Sequence, residues 1–208
     1  MVESPSPDNF YDKCWQGQGL AELLKLSGSK SEHRFVTDKD HFKRALSVET
    51  VRALMNGGKR FPIIHITAHG DEACIWLTNG DSLSWAELRD VFLPLNDLLS
   101  RRLVVCMSTC KGWNACKTAM TLGRVPYFLM VASTEDLSWS ESSVAFATFY
   151  HQLALGLHPD VIVSNMKAAS QHPYFASVFG KQVRAERVRA FTDSIRRFAQ
   201  SLREVPAT

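Results

Sequence analysis

Leu103-Val104-Val105-Cys106-Met107-Ser108-Thr109-Cys110-Lys111-Gly112 is the stretch on which the fold turns. Its first five residues form a near-continuous apolar run, the pattern of a strand buried on both faces. Such a strand needs helices on either side and further strands beside it. Phe61 to Thr67 supplies one β-rich neighbour, bounded by Ala68-His69-Gly70, and Tyr127 to Ala132 supplies another. Helical patterns lie between and after them. Ser84, followed three residues later by Glu87, forms a capping box that opens a helix toward Leu99. Asn114 to Leu122 closes at Gly123, Ser142 to Leu155 closes at Gly156, and Asp160 to Ser170 follows. Strands alternating with helices predict an α/β fold, a three-layer αβα sandwich with a mainly parallel central sheet.

The flanks complete this outline. Asn79-Gly80, between Ala73–Leu77 and Ser82-Leu83, is a hairpin signal. Leu20 to Leu26 reads as a short helix, Arg34 to Thr37 as a short strand, and Asp40 to Asn56 as one helix stopped by Gly57-Gly58. Residues 1–9, polar and rich in Pro and Ser, read as a frayed, flexible N-terminal arm, leaving 10–208 as a single domain. Near the other end, Val188, Phe191, Ile195, Phe198 and Leu202 step by three and four, the stripe of a helix packed on the body. Arg187, Arg189, Arg196, Arg197 and Arg203 form its other, solvated face.

Composition narrows the class. A chain of 208 residues, 45% of them apolar, can bury a core without staples. Lysine plus arginine is 24 against 21 acidic residues, and the balance of +3 gives no footing for nucleic acid or an anionic membrane. No apolar run approaches the ~18 residues of a spanning helix. The polar start carries no secretory pattern, and the five cysteines are odd in number, so a cytoplasmic protein with reduced thiols is expected.

In open α/β sheets, sites form at the carboxyl ends of strands. One strand here ends in His69-Gly70 and another in Cys110-Lys111-Gly112. On neighbouring strands these residues emerge together. A thiol needs a base to become a thiolate, and histidine serves. Glycine lets the backbone approach a substrate carbonyl and offer N–H groups to an oxyanion. Spacing alone leaves a catalytic dyad and two packing residues as alternatives.

Ile63-Ile64-His65-Ile66-Thr67-Ala68-His69-Gly70, a connector helix, and then Leu103 to Gly112 resemble the caspase-like cysteine peptidases, most closely their prokaryotic CHAT type. That family pairs an apolar strand ending in His-Gly with one ending in Ser-x-Cys-x-Gly. The connector Asn79 to Leu88, the strand ending Val131-Ala132-Ser133 and the helix around Ala145 to Tyr150 are similar in order, so the resemblance covers about residues 33–175. It implies a caspase-like sandwich in which Cys110 is the nucleophile and His69 the base and later acid. The backbone N–H groups of Gly70 and Cys110 would form the oxyanion hole, with no metal or other cofactor. It further implies a cysteine endopeptidase cutting a protein partner, as a regulated effector in bacterial stress or anti-phage defence. Regulation would fall to a separate protein or to self-association, with the basic C-terminal helix and the N-terminal arm as docking surfaces. A catalytically silent scaffold and a thiol acyltransferase are the rival readings.

Ser108 stands where metacaspase-like members carry a pocket acid. Glu135 and Asp136, in the loop that walls the family's specificity pocket, point to a basic residue before the scissile bond, or else are two solvated acids. Trp139 lines the pocket or the core. His65 and His69 share a strand face, yet no Cys-x-x-Cys spacing accompanies them, so zinc is set aside. His65 reads as a buried, hydrogen-bonded histidine, and His151, His158 and His172 as solvent-facing. Cys74 and Cys106 read as packing residues, and Cys116 as packing or as a disulfide partner for Cys110.

Overall fold

The computed structural model describes residues 1–58 and 60–203. In chain order they form β1 (Val2–Ser4), α1 (Pro7–Tyr11), α2 (Gln16–Leu26), β2 (Arg34–Phe35), α3 (Lys39–Ala45) and α4 (Val48–Leu54). Then come β3 (Ile64–Gly70), β4 (Cys74–Trp76), β5 (Ser82–Ser84), α5 (Trp85–Leu98), β6 (Val104–Ser108) and a 3-10 helix over Gly112–Ala119. The chain continues through β7 (Leu129–Ser133), α6 (Trp139–Ala154), α7 (Pro159–Ser170), β8 (Phe175–Phe179) and α8 (Gly180–Arg203).

The eight-stranded sheet runs β2-β1-β3-β6-β7-β8, with the β4–β5 hairpin joined to β3. β2, β1, β3, β6 and β7 are parallel, and β8 closes the edge antiparallel to β7. Alternation along the strands divides the core between two faces. Ile64, Ile66, Val105 and Met107 face Phe42, Leu88, Phe92 and Leu95 of α3 and α5. Cys106 and Val131 face Leu20, Phe146, Phe149, Ile162 and Met166 of α2, α6 and α7. The result is the three-layer α/β sandwich that the buried strands call for. No helix among the described residues is long and apolar enough to cross a membrane.

The capping box at Ser84 and Glu87 is present in full, and Gly80 turns the hairpin with φ +88°. Four expectations need correction. Residues 2–4 are not a frayed arm: β1 lies between β2 and β3, and Val2, Glu3 and Ser4 are all buried. Its polar look misleads because its polar groups are satisfied inside. Glu3 accepts from the Gly17 N–H at 2.9 Å and meets His33 Nε2 at 2.6 Å, while Ser4 Oγ donates to the Val36 carbonyl at 2.7 Å. The helix expected over Asp40–Asn56 is broken at Leu46, where the Ser47 side chain caps α4. The helix expected over Asn114–Leu122 is the 3-10 segment over Gly112–Ala119.

The fourth correction concerns the tail. Val183 anchors the start of α8 in the core, but Val188, Phe191 and Ile195 are 38%, 46% and 51% exposed. Phe198, Leu202 and Arg203 of the expected pattern lie outside the described side chains. The start of α8 is held by a close approach. A Cβ on Gly180 would stand 2.4 Å from the Tyr127 carbonyl oxygen, which admits only glycine.

Candidate functional site

β3 and β6 pair in parallel with Thr67 opposite Ser108, so His69 and Cys110 each stand two residues beyond one register pair, at the carboxyl ends of adjacent strands. His69 is exposed and Cys110 half-buried. Their supporting backbones touch. A Cβ on Gly70 would come within 3.0 Å of the Cys110 carbonyl oxygen and 3.2 Å of Thr109 Cβ. Cys110 and Lys111 occupy the tip of a tight turn closed by Gly112 N–H to the Thr109 carbonyl at 3.1 Å, with Lys111 in the left-handed region at φ 49°. Gly112 is compelled there too, since a Cβ would stand 2.6 Å from Thr109 Oγ1.

A third element, the loop from β7 into α6, closes over the thiol. The Leu137 N–H donates to Cys110 Sγ at 3.5 Å, and the Leu137 carbonyl lies 3.6 Å from the same sulfur. Trp139, the first residue of α6, packs against the His69 ring with centroids 5.6 Å apart at 77°. The Cys110 N–H has no protein acceptor among the described residues; Gly70 stands opposite Ile75 in the β3–β4 register, and the bond beside that pair runs from the Asp71 N–H to the Cys74 carbonyl at 3.0 Å.

Of the pocket residues named from sequence, Trp139 thus stands at His69. Glu135 and Asp136 are exposed on the loop, and together with Glu72 they favour the charged form of Lys111; its bond and ion pair to Glu72 at 3.3 Å come first among the causes. Ser108 lies elsewhere. It is 1% exposed and bonded to Gln16 Oε1 at 2.6 Å and Ser142 Oγ at 2.5 Å, in a polar seam below the surface.

Sequence reasoning missed three contributors. Asn9, in the segment whose composition reads as an arm, is held on α1 by the Ser6 cap, with its backbone N–H donating to Ser6 Oγ at 3.1 Å. Its side-chain amide lies 3.4 Å from His69 Nε2. Leu137 is the second, because nothing in an apolar side chain advertises its backbone. The third is a buried network. His172 is 6% exposed, not solvent-facing, with Nε2 2.8 Å from Ser133 Oγ and Nδ1 3.5 Å from Glu141 Oε1. Ser133 Oγ donates to the Glu135 carbonyl at 3.0 Å, and Glu141 caps the start of α6. The loop carrying Leu137 and Trp139 is therefore tied at both ends.

Burial separates the thiols. It pushes Cys74, Cys106 and Cys116 up from the ordinary thiol range, keeping them protonated. Only Cys14 and Cys110 are not buried, and none of the five is in a disulfide. No group of three or more His, Cys, Asp or Glu that could hold a metal occurs among the described residues.

His65 is fully buried, bonded through Nδ1 to Tyr150 Oη at 3.0 Å, and stacked edgewise on Phe146. Desolvation pushes its pKa down to about 3, so it stays neutral inside. The unfolded chain binds the proton more readily, near pH 6.5. Stability from this group is therefore complete above pH 6.5 and declines as the pH falls toward 3. By pH 5 the loss is about 2 kcal/mol. In urea unfolding, the gap between wild type and His65→Gln is expected to narrow from pH 7 to pH 5. A constant gap contradicts this.

No protein-family model matches the chain, and no curated protein does either. The site stands on its geometry.

Proposed function

We propose that the chain is a cysteine endopeptidase acting through Cys110 and His69. The observation that carries the reading is the emergence of an exposed histidine and a half-buried thiol at one pair of strand ends. The close backbone approach of Gly70 to Cys110 accompanies it.

His69 takes the proton from Cys110 Sγ, and the thiolate attacks the scissile carbonyl carbon. The Leu137 N–H, already directed at the sulfur, supports its negative charge. The carbonyl π-pair moves to oxygen, where the Gly70 and Cys110 N–H groups receive it. The intermediate collapses, the C–N bond breaks, and His69 returns the proton to the leaving amine. Water then attacks the thioester with His69 again as base, releasing the acid and restoring the thiol.

Asn9 orients the ring. With Nε2 engaged by its amide, Nδ1 is the nitrogen left for the thiol proton. A half-turn of the amide exchanges Nδ2 for Oδ1, so one side chain can donate to the neutral ring or accept from the imidazolium. Asn9→Ala is expected to lower kcat roughly 10- to 100-fold with little change in KM. Asn9→Asp is expected to move the acid limb of the pH profile upward, because a carboxylate favours the protonated ring. An unchanged kcat in Asn9→Ala contradicts the role.

Glu72, Glu135 and Asp136 outnumber Lys111 and Lys117 at the rim of the site, which favours a substrate with Lys or Arg before the scissile bond. The substrate is a protein partner, met in the reducing, cytoplasmic setting that five free cysteines fit. The test is cleavage of a randomised peptide library by wild type and Cys110→Ala. Cleavage present only in wild type and rich in Lys or Arg supports the whole reading. Cleavage with another preference removes the specificity argument, and no cleavage by wild type removes the peptidase.

A further inference from the structure

At the opposite pole from His69 and Cys110, beside the amino ends of β6 and β7, a groove of about 550 Å³ separates α8 from the body. Its floor is apolar, made of Val125, Tyr127, Phe128, Ala185 and Val188. Its rim carries Arg101, Lys181 and Arg184, which make no ion pair among the described residues, and Arg124, which is paired with Asp97. The apolar floor does not end at the groove. Val188, Phe191 and Ile195 continue it along one face of α8, and past Ala185 every described side chain of the helix is exposed except half-buried Thr192. Between Gly180 and Arg197, α8 carries six basic side chains against two acidic ones.

A long helix with an apolar stripe gains little by standing in water, since each exposed large side chain forgoes part of its burial. The chemistry of the rim selects what covers it. A second copy would bring an equally basic α8 against this one, and like charges across an interface oppose pairing. A flat anionic membrane would meet the stripe but leave the concave floor unfilled. A nucleic acid would use the cations and have no use for the valines and phenylalanines. A helix with an apolar face and acidic flanks satisfies both, by the helix-in-groove mode of peptide recognition.

We infer that this groove and the α8 stripe dock an acidic amphipathic helix of a partner protein. The surface lies away from the thiol and is independent of the peptidase reading; if both hold, the partner binds without blocking the site.

The test uses the full chain and a labelled synthetic helix with leucines at i, i+3, i+4 and i+7 and glutamates elsewhere, followed by fluorescence anisotropy. Saturable binding is expected, weakened at least tenfold when salt rises to about 0.5 M. Replacing the glutamates with lysines is expected to abolish it. Val188→Glu, which places a carboxylate at the mouth of the groove, should weaken the acidic peptide at least tenfold. The double variant Arg101→Glu/Arg184→Glu should exchange preference and bind the lysine peptide. Both variants alter exposed positions, and a thermal melt like that of wild type confirms folding. The inference is overturned if wild type fails to bind the acidic peptide, or if both peptides bind equally. It is also overturned if the double variant keeps the wild-type preference, if phosphatidylglycerol vesicles bind in place of the peptide, or if Val188→Glu dissociates a dimer of the chain itself.

Discussion

Cys110→Ala is expected to reduce peptide hydrolysis at least about 1000-fold, and His69→Ala nearly as far, with the double variant no worse than either alone. Nucleophile and base act as one unit, so removing either leaves only what positioning and the oxyanion donors supply. A 1000-fold loss corresponds to about 4 kcal/mol of transition-state stabilisation. Neither change should disturb the fold, because His69 is exposed and Cys110 stands at the tip of a turn whose shape depends on Gly70 and Gly112. Steady-state rates on the best library peptide, together with thermal melts of each variant, test both halves. Additive losses would mean that the two residues do not cooperate in one step.

Phe146→Ala is expected to have the largest effect on stability. Phe146 is fully buried on the α6 side of the sheet, edge-on to His65 at 4.6 Å and to Phe175 at 5.8 Å. Truncating such a ring removes its burial and leaves a cavity, a cost of about 3–5 kcal/mol. For a chain of this length that lowers Tm by about 6–20 °C. Phe191→Ala serves as the contrast. Its ring is 46% exposed on α8, and its removal should change stability by no more than about 0.5 kcal/mol. Calorimetry of the two variants distinguishes a buried from an exposed phenylalanine, and equal losses would contradict this placement of α8.

Signals of local chemistry were legible in the sequence. Asn79-Gly80 needs a left-handed glycine, Ser84 and Glu87 satisfy each other's backbone, and the Val-rich run before Cys110 suits only a strand buried on both faces. From those elements the juxtaposition of His69 and Cys110 follows. What escaped depends on partners distant in the chain. β1 carries Glu and Ser, and its burial becomes reasonable only when Gly17, His33 and Val36 are known to receive them. For the same reason Asn9 does not stand out in the sequence, since the value of its amide lies in a histidine sixty residues away. His172 is a polar residue whose burial depends on Ser133 and Glu141. The apolar stripe of α8 is legible in the sequence but its packing is not: Val188, Phe191 and Ile195 stand exposed, because periodicity shows that a face is apolar and not what covers it.

Peptidase action by this chain requires that His69 activate Cys110. Cys14 supplies an internal standard, being the other thiol not buried in the fold. The direct measurement is the rate of iodoacetamide labelling at each cysteine near neutral pH, read by peptide mass spectrometry, in wild type and His69→Ala. The expected result is that Cys110 labels faster than Cys14 in wild type, and that His69→Ala slows Cys110 while leaving Cys14 unchanged. A Cys110 that labels no faster than Cys14, at a rate indifferent to His69, would contradict the central claim.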